Sequence, residues 1–188
     1  MRPDPAVVRR APHLCRTCAD RTAVDLARLL PRLDVLPVLD ATLIAGVCTP
    51  ESLTRELVRH DGLPGVRQAR ELIPLAATGP DSPQESRMRL ICHDAGLPRP
   101  TLQLPVLDAR GRPRRWLDLG WEKAKVGLEY DGEESHEGED ERRSDRRRHN
   151  WLQDDDWAMF STTDADIYGR SAALTGQVAA AIERRSRR

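Results

Sequence analysis

Three acidic residues in the second half of the chain, Asp118, Glu129 and Asp131, have the type and spacing of ligands for a divalent cation. Asp118 interrupts an apolar run at 116–119, and Glu129 and Asp131 stand two residues apart, so they share one face of an extended strand. Carboxylates on adjacent strands that face the same way supply the oxygen ligands that Mg²⁺ or Mn²⁺ takes. Such an ion stabilises charge on a phosphate group and lowers the pKa of an attacking water. The alternative is that these acids only mark strand ends, where carboxylates are solvated or paired with arginines.

The strands that would position these acids are predicted from apolar alternation and from turn residues. Apolar residues alternate along 101–108, and the connections to the next two apolar segments are short and polar. Short connections leave no room for crossovers, so the three segments should form an antiparallel meander. The predicted strands are Thr101–Asp108, Arg114–Trp121 and Lys125–Asp131. The elements expected to complete this layer are the strand Trp157–Thr162 and the covering helices Ser82–Ala95 and Asp140–Gln153.

The two halves of the chain differ in pattern, which predicts a helical region over 1–80 and a second domain over 81–188. In the first half, helical periodicity follows capping residues and a proline at the first helical position. The predicted helices run from Asp20 or Thr22 to Leu30, from Thr49 to His60, and from Pro64 to about Ala77. In the second half, Ser82 and Glu85 have the spacing of a capping box, and Ser171–Arg185 is expected to form the last helix. The predicted class is α+β.

Composition excludes several classes of protein. The chain has 188 residues with 30 basic and 30 acidic side chains, so a uniformly basic nucleic-acid-binding protein is excluded and phosphate contacts must come from local patches. Cys15 and Cys18 form a single CxxC without the second pair that structural zinc needs, so we expect ordinary thiols in a reducing compartment. No segment reaches the ~20 apolar residues of a membrane span, and the N-terminus lacks the apolar core of a signal peptide. We therefore expect a cytoplasmic protein with no membrane partner, and the sequence leaves the oligomeric state open.

The second half also carries an ordered set of motifs, from the first helix to the last strand. They are Glu85-Ser86-Arg87, then Gly96-Leu97-Pro98 with Pro100 and Gln103, then Asp118-Leu119-Gly120-Trp121, then Leu128-Glu129-Tyr130-Asp131-Gly132 with His136 downstream. The set continues with Asp145, Arg148, Trp151-Leu152, Trp157, Thr163-Asp164 and Asp166. Together these motifs resemble an actinobacterial group of uncharacterised nuclease-like proteins. The C-terminal domain of that group is similar to the very-short-patch repair endonuclease, within the restriction-endonuclease-like PD-(D/E)XK superfamily.

The resemblance implies a role for each matching residue. Asp118 matches the first acid, on the second core strand, and Glu129 matches the acid of the (D/E)xK element, so both would bind Mg²⁺ or Mn²⁺. Glu85 matches an acid on the first helix that completes the metal shell in some members, although it is also the third residue after a helix cap. His136 matches a histidine that acts as general base or orients water; a lone histidine in a charged loop is otherwise simply solvated. Asp131 stands where the (D/E)xK lysine would be. The mismatch-repair branch also lacks that lysine, so its absence is compatible with cleavage, although it favours a changed mechanism or an inactive site.

Basic clusters on both sides of the acids make DNA the expected partner. Arg114 and Arg115 belong to a basic hairpin that could contact a phosphate backbone. Arg148 on the following helix could pair with Asp131, face phosphate or belong to a solvated surface. The resemblance therefore implies a metal-dependent DNA endonuclease, acting in DNA repair or defence. The alternatives are a catalytically inactive nuclease-fold module that binds DNA or regulates, related to toxin–antitoxin systems, and a protein-interaction domain whose acids only stabilise strand ends.

Overall fold

The architecture of the chain is given by a computed structural model, which describes residues 7–11, 14–132, 152 and 155–187. Two compact units are present, Met1–Thr78 and Gly79–Arg188. The chain combines helices with a four-stranded mixed sheet, so the predicted α+β class is confirmed. Among the described residues, no helix has both the length and the apolar character needed to cross a membrane.

The first unit begins with a feature that the helical pattern did not predict. Two short strands, β1 (Val7–Ala11) and β2 (Leu14–Thr17), pair in antiparallel register, with Val7 opposite Thr17. The predicted helices of this region begin at Asp20 or Thr22, and no strand was predicted before them. The prolines and arginines of this segment give neither helical nor strand periodicity, and only the pairing of the two strands defines the structure.

The rest of the first unit is helical. Its four α-helices are α1 (Ala19–Leu29), α2 (Arg32–Ile44), α3 (Pro50–Leu57) and α4 (Val66–Leu72). Single 3₁₀ turns follow the last two helices, at Val58–His60 and Ile73–Leu75. Thr49 caps α3, as the threonine followed by a proline at the first helical position predicts. The Thr49 hydroxyl accepts the Ser52 N–H at 3.1 Å, and the Ser52 hydroxyl accepts the Thr49 N–H at 2.9 Å.

Helix α2 was not predicted, because Pro37 and Asp40 interrupt its apolar run. Both residues are buried inside the helix. The Asp40 carboxylate accepts a hydrogen bond from the Ala77 N–H at 2.7 Å, so its burial does not leave a polar group unsatisfied. Partners that are distant in sequence thus stabilise a helix that local propensity disfavours.

The second unit contains the sheet that the sequence predicts. Its strands are β3 (Thr101–Leu107), β4 (Pro113–Trp121), β5 (Val126–Tyr130) and β6 (Ala158–Thr162). They lie in the order β3-β4-β5-β6; the first three form the predicted antiparallel meander, and β6 pairs in parallel with β5. A parallel neighbour requires a crossover in place of a hairpin, which explains why the 27 residues 131–157 separate β5 from β6. Leu104, Val106 and Leu117 pack with Leu152 and Trp157 in a core beside this sheet.

Three helices of the second unit are described. They are α5 (Pro83–Asp94), α6 (Asp164–Gly169) and α7 (Ser171–Ser186). Helices α5 and α7 match the predicted ones within two residues, whereas the short α6 was not predicted. Of the predicted helix Asp140–Gln153, all residues but Leu152 lie outside the described part of the chain.

Candidate functional site

The candidate site lies where β4 and β5 separate, and Asp118 is at its centre. The last backbone pair between the two strands on this side is Leu119 with Leu128. One residue beyond it, Oδ2 of Asp118 accepts the Tyr130 N–H at 2.8 Å. Asp118 thus bridges the two strands through its side chain, and its carboxylate is held in one orientation while it stays half-buried.

The electrostatic environment of Asp118 is unusual for a surface acid. Burial raises the pKa of Asp118 to about 6, and the negative charges of Glu85 and Glu129 add to that increase. The hydrogen bond from Tyr130 and the charge of Arg115 act in the opposite direction. The acids of α5 and β5 are therefore close enough to affect Asp118 on β4, although the whole of β3 separates α5 from β4 in sequence.

Glu85 is the most buried of these acids, at 6% exposure. Ser82 caps α5 by accepting the Glu85 N–H at 3.2 Å, but the reciprocal half of the predicted capping box does not form. Instead, Oε2 of Glu85 accepts the Asp81 N–H at 3.0 Å and an N–H of the Gln103 side chain at 2.9 Å. The Glu85 carboxylate thus extends past the cap and reaches β3.

Gln103 is a site residue to which the sequence analysis assigned no role. Its backbone has φ of +45°, a left-handed conformation that is costly for a residue with a side chain. The sequence feature that could have singled out Gln103 is its place in the strand, where a polar residue stands between the half-buried Leu102 and the buried Leu104. Alternation placed it on the face opposite to theirs, and only the structure shows that this face meets Glu85.

Glu129 forms a paired contact with Arg115 of the adjacent strand. The Arg115 Nε and Nη2 atoms donate to the two Glu129 oxygens at 2.8 and 2.5 Å. Both side chains are about three-quarters buried, with exposures of 26% and 20%. This arrangement is a two-pronged, charge-assisted pair, which is the strongest geometry available to an arginine and a carboxylate.

The other predicted residues have varied positions. Asp131 follows β5 and is exposed, and its N–H donates to the Thr162 carbonyl at 2.8 Å. Arg114 is exposed on β4. His136 and Arg148 lie outside the described residues. The structure therefore brings Glu85, Asp118, Glu129 and Arg115 together, and leaves Asp131 at the rim.

The donor set of this group fits a hard divalent cation in its chemistry. Glu85, Asp118 and Glu129 offer only carboxylate oxygens, and their mutual repulsion is what a bound cation would relieve. Among the described residues, these three acids do not each place an oxygen within 4.8 Å of the other two. In the present arrangement Glu85 accepts a hydrogen bond from Gln103, and Glu129 accepts one from Arg115.

Comparison with known proteins gives two relatives, both uncharacterised proteins of Mycobacterium tuberculosis from different strains. Each is 32% identical over 163 residues, and the match covers 87% of this chain. The chain spans 60% of the length of these curated relatives. No protein-family model matches the chain, and no solved structure matches it significantly.

Proposed function

We propose that the unit Gly79–Arg188 is a metal-dependent DNA endonuclease with a restriction-endonuclease-like fold. The order of its elements supports this fold: helix α5 precedes a three-stranded meander, and a fourth strand then pairs in parallel with the third. The resemblance of its motifs to nuclease-like proteins implies the same order. A role in DNA repair or defence follows from that resemblance.

One observation carries the proposal, namely the convergence of three acids from three separate elements. Burial raises the pKa of Asp118 to about 6, and the charges of Glu85 and Glu129 raise it further, so the folded chain keeps a buried acid beside two others. Acids that only mark strand ends would be solvated or individually paired with basic residues. Glu129 is paired in this way with Arg115, whereas Glu85 is buried and, within the described part of the chain, its carboxylate accepts from the Asp81 N–H and the Gln103 side-chain amide.

In the proposed reaction, a water oxygen bonds to phosphorus and the bond from phosphorus to the leaving oxygen breaks. The water loses a proton to a basic group or to solvent, and the leaving oxygen takes one up. Asp118 and Glu129 would hold Mg²⁺ or Mn²⁺, with Glu85 as a third ligand, and the bound ion would supply charge stabilisation and an acidified water. The Tyr130 N–H and the Gln103 amide orient two of these carboxylates beforehand.

Contact with DNA is assigned to the basic hairpin that joins β3 to β4. Arg114 is exposed on β4, close in sequence to Asp118, and would bind a phosphate. Asp131 and His136, as the resemblance implies, would lie next to the reacting water, and Arg148 would contribute a further cation.

The second candidate function is a catalytically inactive nuclease-fold module that binds DNA or regulates, as in toxin–antitoxin systems. The specific observation in its favour is that Arg115 pairs with both oxygens of Glu129. The aspartate at position 131, in place of the lysine of the (D/E)xK element, points the same way.

A plasmid-nicking assay separates these functions. Wild type is incubated with supercoiled DNA and Mg²⁺ or Mn²⁺, next to Asp118→Asn and the control Glu122→Gln, an exposed acid just after β4. The endonuclease predicts metal-dependent nicking that Asp118→Asn abolishes and Glu122→Gln retains. Retardation of duplex DNA without nicking supports the inactive module. If the protein neither nicks nor retards duplex DNA, both candidate functions are contradicted.

A further inference from the structure

Strand β6 lies at one edge of the sheet, next to β5 alone. The Ala158 N–H and the Thr162 carbonyl are each bonded, at 2.8 Å, to a residue that flanks β5. Alternate residues of a strand direct their N–H and C=O groups to opposite sides, so those of Met159 and Ser161 point away from β5. Within the described part of the chain, the outward groups of these two residues have no backbone partner.

The sequence of β6 lacks the features that protect an exposed edge strand. Edge strands of monomeric proteins usually carry charged residues, prolines or bulges, which prevent them from pairing with another chain. The five residues of β6 are Ala-Met-Phe-Ser-Thr, without a charge or a proline, and their register with β5 is regular from Ala158 to Thr162. An edge of this composition is suited to pair with a further strand.

A groove of about 510 Å³ lies beside β6, between that strand and helix α7. Its lining includes Phe160 of β6 and, from α7, Ala172, Ala173, Gly176, Ala180 and Arg184. The small side chains of α7 leave the groove open, and at Gly176 nothing lies within 4 Å of the position that a Cβ would take. Phe160 is half-buried, so part of its ring is available to a second aromatic side chain.

We infer that two copies of this chain pair through β6 in antiparallel register, with Phe160 opposite Phe160. A twofold axis there places Met159 of each copy opposite Ser161 of the other, so that their outward N–H and C=O groups bond reciprocally. The two Phe160 residues then form the pair without hydrogen bonds, in which cross-strand side chains are closest, and their rings pack between the two α7 grooves. The two sheets become one continuous sheet. The inference does not depend on the proposed function.

Charge complementarity favours a second copy over an unrelated strand. Exposed Arg184 lies at the end of the groove nearest the start of β6, because the adjacent Arg185 bonds to Asp156 there. Asp156 stands four residues before Phe160, and the exposed Asp164 stands four residues after it. Antiparallel pairing about Phe160 therefore brings Asp164 of each copy beside Arg184 of the other. The twofold axis makes this contact twice, and Asp156 is already neutralised by Arg185.

Sedimentation equilibrium of the full chain, at concentrations up to about 500 µM, measures the dissociation constant of the dimer. Three variants change three parts of the interface. Ser161→Pro removes an outward N–H at an edge position that tolerates proline, Gly176→Gln fills the groove with a residue that helices prefer to glycine, and Arg184→Glu reverses the charge. The matched controls are Ser161→Ala and Arg187→Glu; Arg187 is exposed, pairs with Glu183 and lies outside the groove. Thermal denaturation checks that each protein is folded.

The expected result is a wild-type dimer in reversible equilibrium with its monomer. Each of the three interface variants should raise the dissociation constant about 10-fold or more, because the twofold axis repeats every loss. Both controls should keep the wild-type value. Hydrogen exchange in β6 should also be slower above the dissociation constant than below it, since the outward amides become bonded in the dimer.

Two results would overturn the inference. The first is a wild type that stays monomeric up to about 500 µM. The second is a dimer whose dissociation constant is unchanged in the folded variants, because its interface then lies elsewhere. If Ser161→Pro fails to fold, Gly176→Gln and Arg184→Glu still decide between these outcomes, since both substitutions are on the surface of α7.

Discussion

The side-chain amide of Gln103 donates a hydrogen bond to the Glu85 carboxylate across 2.9 Å, which links strand β3 to helix α5. Glu85 is buried, and the amide is one of two donors that its Oε2 accepts. This contact determines where the carboxylate points, so the helix acid cannot turn back to complete the capping box that its sequence spacing predicts.

Gln103→Leu is therefore expected to weaken metal binding without removing a ligand. Loss of a hydrogen-bond partner behind a ligand typically costs about 10- to 100-fold in metal affinity. Calorimetric titration with Mn²⁺ measures the change, and Gln84→Leu, on the same unit but bonded to Asp164, is the matched control. Equal Mn²⁺ affinity in wild type and Gln103→Leu would show that Glu85 is no ligand.

Asp118→Asn should stabilise the fold at neutral pH and leave it unchanged in acid. The pKa of Asp118 is about 6 in the folded chain and 3.8 ordinarily, so the folded state keeps this proton to a higher pH than the unfolded state does. The stability from protonated Asp118 is thus full below about pH 4 and is lost as the pH rises through 6. The amide retains an oxygen for the Tyr130 N–H. We expect a gain of about 1–2 kcal/mol at pH 7.5 after allowance for solvent screening.

Thermal denaturation at pH 4 and pH 7.5 measures this difference, with Glu122→Gln as the control. A Tm that falls by the same amount at both pH values would show that the Asp118 charge carries no penalty. The substitution also separates stability from activity, because the variant should be more stable and unable to nick DNA.

Gly65→Ala should destabilise the first unit much more than Gly62→Ala does. Both glycines have positive φ, +76° and +77°, so each alanine has the cost of a left-handed backbone, roughly 1–2 kcal/mol. At Gly65 a Cβ would also lie 2.0 Å from the Arg28 carbonyl oxygen, whereas at Gly62 nothing lies within 4 Å. Denaturant unfolding of both variants gives the comparison, and equal losses would show that α1 can move away from the turn.

Cys92 should resist thiol reagents in the folded protein. Burial raises the pKa of the Cys92 thiol to about 12, so only a fraction on the order of 10⁻⁴ is thiolate at pH 8. Alkylation mapped by mass spectrometry should modify Cys92 only after the protein unfolds. The half-buried Cys18 should be modified in the native state. Rapid native modification of Cys92 would mean that α5 opens readily.

Local sequence determined most of the second unit. Alternation along 101–108 and the short polar turns define the meander within one or two residues, and capping residues locate α5. The acids were identifiable too, since Asp118 lies inside the apolar run 116–119 and Glu129 inside the largely apolar strand β5. The parallel direction of β6 could not be predicted from the sequence pattern, because strand direction depends on the crossover and not on the residues of the strand itself.

Only the tertiary structure decided which side chains contact one another at the site. The contacts from Gln103 to Glu85 and from Arg115 to Glu129 join residues 18 and 14 positions apart, and no local period encodes either contact. The same holds for α2, where Ala77 satisfies the buried Asp40 that made a helix improbable by composition. Periodicity reports which face of a strand or helix a residue occupies. The partner that it meets there depends on how separate elements pack, and that is a property of the folded chain.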